Sequence, residues 1–446
     1  MGGARAGGEA AAPRVTAQDS AWVLPIVKRD SLLNGLQLAV MEREGTGRVS
    51  VRLRVNNGAT FDLANKGGLA HLTAGMLLRG GLGLDAKGIA DTVESLGLTV
   101  NVQTGWDSTD VVINGPSDGL ESIFDLLSRI ISAPSFDQKE LNSLKAERAA
   151  LARAQAEKDS ERAKRKALEH LFGPHPFGRP AHGTEESISR ITRDDLVYFH
   201  NRFYIANNSV LLVSGDVPAE KVTILARSKL GSWRKGERVP ATFRPPEAIP
   251  SRRLVVTDRP SSEMAYACLA QIGPPRKSPD IFQVLVISEI LSSHYSQLAA
   301  ANPKSSISFE MDLRGLAGPL LVEVGAPPEA LVALVGESLN VLSGLQNGKV
   351  TPEQVEAAKA RAISRFAEQL RTPEGTAGVL LDIELYGLGR DFLINFSEKI
   401  NNVTMPDVTR VAQAYLKPGV AVISVAGPLS RLEADLKKLG SVTARY

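Results

Sequence analysis

The sequence predicts an α+β fold of two homologous domains, each a mostly antiparallel sheet packed with helices. Length is the first reason: 446 residues exceed what one ordinary core organises. An internal repeat with a period of about 212 residues is the second. Ser189–Leu196 aligns with Asn401–Val408, and the match continues without a gap through Phe203 on Tyr415, Val210 on Val422, Val213 on Val425 and Gly215 on Gly427. Leu38–Arg43 parallels Leu254–Arg259, and Leu141–Lys145 parallels Val355–Lys359. The third reason is that, within each repeat, strand-like runs adjoin one another as well as helical ones.

Each half then reads in the same order. A strand (Leu36–Val40; Arg253–Val256) precedes a longer one (Val49–Val55; Met264–Ile272), and an amphipathic helix follows (Gly68–Leu78; Phe282–Leu291). Gly119–Ile131 and Pro328–Leu342 carry apolar residues at helical spacing. A long charged helix opens after Pro134-Ser135-Phe136-Asp137 in one half and at Thr351-Pro352 in the other, where Asp or Thr caps the first turn and Pro fits its first position. Capping boxes recur at Thr192/Asp195 and Thr404/Asp407. An apolar strand closes each half, Ser209–Ser214 and Ala421–Ala426. The expected organisation is a flexible Gly/Ala-rich leader (1–23), a first domain (24–234), a polar, Pro-rich linker (235–251) and a second domain (252–446).

Composition narrows the function classes. A net charge of +3, set against 52 basic and 49 acidic side chains, makes no case for nucleic acid or a membrane surface. The densest basic run, Arg162–Lys166, has acidic neighbours and is expected to form a solvated helix face. A single cysteine, Cys268, excludes an internal disulfide and is expected to be a buried, inert thiol. No apolar run approaches the length of a membrane span. Compartment stays open, periplasmic if a signal peptide has been removed and cytoplasmic otherwise. Neither a Gly-x-Ser-x-Gly elbow nor a phosphate-binding Gly-x-x-x-x-Gly-Lys-Ser/Thr loop is present.

The segment Gly67-Gly68-Leu69-Ala70-His71-Leu72-Thr73-Ala74-Gly75-Met76-Leu77-Leu78-Arg79-Gly80-Gly81 resembles the zinc helix of the pitrilysin/insulinase family of metallopeptidases, which includes mitochondrial processing peptidase. In that family the helix carries H-x-x-E-H: two histidines on one face bind zinc, and the glutamate activates the metal-bound water. Here His71 remains, but Ala74 replaces the base and Gly75 the second ligand. The family's third ligand is a glutamate about 76 residues further on. Counting from Gly75 reaches Leu151, a register supported by Lys145, which matches a family lysine. Glu147 is the one nearby acid. The block Leu171–Pro180 with Gly183-Thr184 resembles the family's HP-aromatic-G-x-P…G loop.

The resemblance covers roughly residues 24–446 and implies two domains facing each other across a chamber. It further implies a chain that serves as the non-catalytic partner of an active peptidase subunit or forms a homodimer, with peptide in the chamber. No metal or other cofactor is expected. A scaffold role like that of respiratory-chain core proteins is the alternative, and an active metalloendopeptidase using an unrecognised site is a third. The family's peptide-gripping Arg/Tyr pair follows a helix start that here resembles Leu291–Leu298. No arginine follows until Arg314, and Ile307-Ser308-Phe309 fills the tyrosine's region, so the pair is expected to be missing. His170, His175 and His182, interrupted by prolines, are expected to order a loop. His71 is expected to line a cavity, and no spacing argument makes a catalytic pair of His294 and Tyr295.

Overall fold

A computed structural model describes residues 26–237 and 244–446; the expected leader and residues 238–243 of the expected linker lie outside the described residues. The first half runs β1 (Lys28–Ser31), β2 (Gln37–Glu42), β3 (Arg48–Val55), α1 (Leu69–Met76), β4 (Gly80–Gly81), β5 (Leu84–Asp85), α2 (Ala86–Ser95), β6 (Thr99–Thr104), β7 (Thr109–Pro116) and α3 (Leu120–Ser132). It continues with α4 (Gln138–Glu157), α5 (Asp159–Phe172), α6 (Glu185–Ser189), α7 (Arg193–Phe203), β8 (Ser209–Gly215) and α8 (Ala219–Leu230). The second half contains β9 (Arg253–Asp258), β10 (Ala265–Ile272), α9 (Ile281–Ala301), β11 (Ser306–Met311), β12 (Pro319–Ala326), α10 (Pro328–Gln346) and α11 (Pro352–Arg371). It ends with α12 (Pro373–Tyr386), α13 (Asp391–Ile394), α14 (Phe396–Asn401), α15 (Met405–Tyr415), β13 (Val422–Gly427), α16 (Leu429–Leu436) and β14 (Val442–Arg445).

Each half builds a six-stranded sheet, ordered β1-β2-β8-β3-β7-β6 in the first and β14-β9-β13-β10-β12-β11 in the second. Five strands correspond one to one. In both halves the closing strand inserts parallel to the opening one, β8 on β2 and β13 on β9, and antiparallel to its other neighbour. The sixth strand breaks the symmetry, because it comes from opposite ends of the chain: β1 is antiparallel to β2, whereas β14 is parallel to β9. Both sheets are mostly antiparallel, as expected. The repeat also fixes side-chain contacts. Lys145 Nζ donates to Ser189 O at 2.9 Å, and its counterpart Lys359 donates to Asn401 O, the matching carbonyl, at 3.1 Å. Thr192 and Thr404 each close the expected capping box.

Two expectations need correction. The halves do not face each other across an open chamber; they pack directly and exchange helices. α5 lies on the second sheet and its counterpart α12 on the first. Ala163, Ala167 and Leu171, spaced four apart, form one face of α5, and the small alanines let it lie close to Cys268, Ala270, Leu321 and Val422. The basic run Arg162–Lys166 therefore is not a solvated face. Lys164 Nζ pairs with Glu323 at 2.9 Å, and Lys166 Nζ sits 3.6 Å from the centre of the Tyr446 ring. On the reciprocal side, Arg52 NH1 donates to Glu374 O of α12 at 3.2 Å, and buried Arg54 bridges Asp110 to Asp382 of α12.

α9 is also longer than expected. It replaces α1, the β4–β5 ribbon and α2 with one helix of 21 residues, so Leu291–Leu298 lies in its interior and is no helix start. Cys268 is buried in β10, and burial pushes its thiol far up, as expected of an inert cysteine.

Candidate functional site

The elements that hold α1 explain why the motif's frame persists. Gly68, at φ +94, begins the helix where a Cβ would stand 2.6 Å from His182 O. The helix's first N–H groups need acceptors, and the Asp62 carboxylate takes Gly68 N at 2.8 Å and Ala70 N at 2.7 Å. Arg179, from the loop that resembles the family's, donates to the same carboxylate at 2.9 Å and to Ala59 O at 2.9 Å. Burial pushes the Asp62 carboxyl up to about 6, opposed by Arg179 and the two N–H groups. Ser187 donates to Gly67 O at 2.8 Å. Asp62 and Arg179 are thus the supports of α1. The sequence offered one cue for them, since Arg179 lies inside the recognisable loop.

His71 is half-buried on α1. It packs against the backbone at Thr104, the end of β6, and at Ala181. Its Nδ1 is buried without a hydrogen-bond partner among the described residues. Burial lowers the imidazole to about 4, with the charges of His182 and Arg148 adding to the effect, so it is neutral near pH 7. Ala74 presents a buried methyl group. Gly75 faces α4: a Cβ there would stand 3.0 Å from Leu144 Cδ2. Leu151 lies on α4 and is 50% exposed.

Glu147 points elsewhere, pairing with Arg79 at 2.8 Å. These positions therefore offer a metal one imidazole, where structural or catalytic zinc takes three or four protein ligands. The cation whose charge reaches that imidazole is Arg148, also on α4. No cluster of three His, Cys, Asp or Glu residues with metal-binding geometry occurs among the described residues.

The remaining sequence candidates fall apart into separate roles. His170 Nε2 meets the Tyr446 hydroxyl at 2.9 Å, and His175 Nδ1 accepts from Phe177 N at 3.2 Å. His182 instead lines a cavity of about 650 Å³ between the end of α4, the start of α5 and the loop before α6. Tyr295 is buried, donates to Ser338 O at 3.0 Å and stacks on Phe309, so it belongs to the core. Arg314, the first arginine after α9, is buried too. Its guanidinium lies 4.2 Å from the Trp106 ring centre and 4.3 Å from that of Phe177, and it bonds Asp312. It fastens the second half to the loop that supports α1.

Comparison with known proteins agrees with this architecture. Residues 38–185 match the insulinase family (peptidase family M16), and residues 190–362 match the peptidase M16 inactive domain. The chain belongs to the M16 family. Zinc protease PqqE of Helicobacter pylori is 22% identical over 410 residues, covering 88% of this chain and 91% of its own. A probable mitochondrial-processing peptidase β subunit of Schizosaccharomyces pombe is 23% identical, with 94% and 95% covered. In fold, a peptidase M16 inactive domain from Pseudomonas fluorescens superposes with a TM-score of 0.83 at 22% identity, covering 90% of this chain and 98% of that one. The periplasmic protease PqqL of Escherichia coli gives 0.72 at 17% identity, and there the match spans 94% of this chain but 51% of the larger protein.

Proposed function

We propose that this chain is a catalytically inactive M16 homologue that acts as a partner subunit, closing the peptide chamber of an active peptidase. One observation carries the reading. The helix that holds the catalytic motif in this family is kept in place by Asp62, Arg179 and Ser187, while the positions of base and ligands present a methyl group, a bare backbone and an exposed leucine. A metal-bound water there would lack both its metal and its proton acceptor. Loss of the chemistry with retention of the frame suits a subunit whose shape is used. The match to half of PqqL's length supports a chain of 47.7 kDa that needs a second half, supplied by an active subunit or by another copy of itself.

The domain division expected from the sequence is part of this proposal, with halves 24–234 and 252–446 joined by 235–251. A scaffold role is the alternative reading. The test is co-purification of the native chain. A stoichiometric partner with an intact H-x-x-E-H, and hydrolysis of unstructured peptides by the pair but not by this chain alone, is the expected result. Chelator-sensitive hydrolysis by this chain alone would overturn it.

A further inference from the structure

The second half holds a cavity of about 450 Å³ at the place that corresponds to the degenerate motif of the first. The correspondence is exact in length. α4 and α11 have 20 residues each, and α5 and α12, which follow them after one residue, have 14 each. With Lys145 on Lys359, the ungapped alignment places Arg365 at Leu151 and Arg361 at Glu147. α9 packs on β11 and α11 as α1 packs on β6 and α4. At this place the second half carries a cluster of charges. Buried Glu289 of α9 faces Arg365 Nε at 3.1 Å and Arg361 Nε at 3.8 Å.

The lining has three chemical zones. Two guanidinium groups, Arg276 and Arg365, supply donors, and Arg276 Nε is buried with no hydrogen-bond partner among the described residues. Its guanidinium approaches Asp382 only to 3.7 Å. A buried donor left unpaired is costly, and an arginine fork is suited to a carboxylate. Leu285, Met311 and Phe392 supply apolar surface, and Glu310, 3.5 Å from Lys164 Nζ, and Asp312, bonded to Arg314, supply negative charge at and just past the end of β11, with Glu289 and Asp382, the neighbours of Arg365 and Arg276, completing the acidic lining. The volume lies in the range of small-ligand pockets, about 300–1,000 Å³.

We propose that this cavity binds the carboxyl-terminal end of a short peptide. The carboxylate is held by Arg276 and Arg365, the apolar last side chain lies on the Leu285–Met311–Phe392 wall, and the ammonium end faces Glu310 and Asp312. The site does not depend on whether the first half is catalytic.

Calorimetric titration of the full chain with the dipeptide Leu-Phe, its carboxy-terminal amide and 3-phenylpropionate tests the assignment. Leu-Phe is expected to bind, the amide at least about tenfold more weakly because it loses the charge-assisted pair, and phenylpropionate, which lacks the ammonium group, more weakly than Leu-Phe. Arg276→Gln, at a residue whose guanidinium comes no nearer than 3.7 Å to Asp382, is expected to lower Leu-Phe affinity at least about tenfold with an unchanged unfolding midpoint. Arg365→Leu, assayed in its folded form, is expected to lower Leu-Phe affinity at least about tenfold as well, and full affinity there overturns the proposal. Equal affinity for the amide, phenylpropionate binding as tightly as Leu-Phe, full affinity in folded Arg276→Gln, or no binding of Leu-Phe at millimolar concentration would each overturn the proposal.

Discussion

Gly75→His is expected to destabilise the chain, although it replaces a glycine inside a helix. Helix propensity favours the change by about 0.3–0.5 kcal/mol, because glycine is the poorest ordinary helix former. Packing opposes it. The new Cβ would stand 3.0 Å from Leu144 Cδ2, and Leu144 is buried between α1 and α4. Forcing extra volume into a filled core costs about 1–3 kcal/mol. The net expectation is a loss of about 1–2 kcal/mol, localised to the α1–α4 contact.

A double-mutant cycle with Leu144→Val measures it, because trimming the leucine relieves the contact. Followed by hydrogen exchange of α1 and α4, the two substitutions should couple favourably by at least about 0.5 kcal/mol. The same pair prepares a restoration. With Ala74→Glu and Leu151→Glu added, zinc affinity should rise more with Leu144→Val than without it. Stabilisation by Gly75→His alone, or strict additivity with Leu144→Val, would refute the packing argument. Zinc affinity no higher than the parent's in a folded restored variant would show that the α4 register at Leu151 is wrong.

Two further outcomes follow from the fold. Arg54→Met should cost about 2–3 kcal/mol, because it removes the buried guanidinium that bridges Asp110 and Asp382 at 2.6 and 2.7 Å while Arg52 still pairs with Asp110 at 2.9 Å; hydrogen exchange should quicken selectively in α12, and unchanged protection there would contradict the helix-exchange lock. Burial holds His200 at about 4, below its ordinary 6.5, so the unfolded chain binds the proton first. Its stabilisation is complete above about pH 6.5 and is lost as pH falls towards 4, on the order of 3 kcal/mol in all. Denaturation midpoints measured across that window should fall less steeply in His200→Phe, and an equal slope would contradict this assignment.

Much of the fold was legible in the residues. The capping boxes at Thr192 and Thr404, the paired strands ending at Gly215 and Gly427, and the lysines at 145 and 359 are local signals, and each has its structural counterpart. The exchange of α5 and α12 was not legible. Periodicity marks Ala163, Ala167 and Leu171 as one apolar face, but it does not say which sheet that face will meet. The same limit hid the neighbours of Lys164 and Lys166, because charges that pair across the halves read in sequence as a solvated run. α9 ran past its expected end because Ser292–Ser296 carries no breaker, and buried Tyr295 sustains the apolar face there. At the candidate site, the motif alone marks His71, Ala74, Gly75 and Leu151. It does not mark Asp62 and Arg148, since neither belongs to the motif and both meet α1 only through the tertiary fold.

That α1 keeps a peptidase frame without a metal site is tested most directly by metal content after exhaustive dialysis. The chain, loaded with excess zinc and dialysed, should retain far less than one zinc per molecule, and His71→Ala should leave that value unchanged. Retention of about one zinc per chain that is lost in His71→Ala would contradict the account, because it would require the three or more ligands that Ala74, Gly75 and Leu151 do not provide.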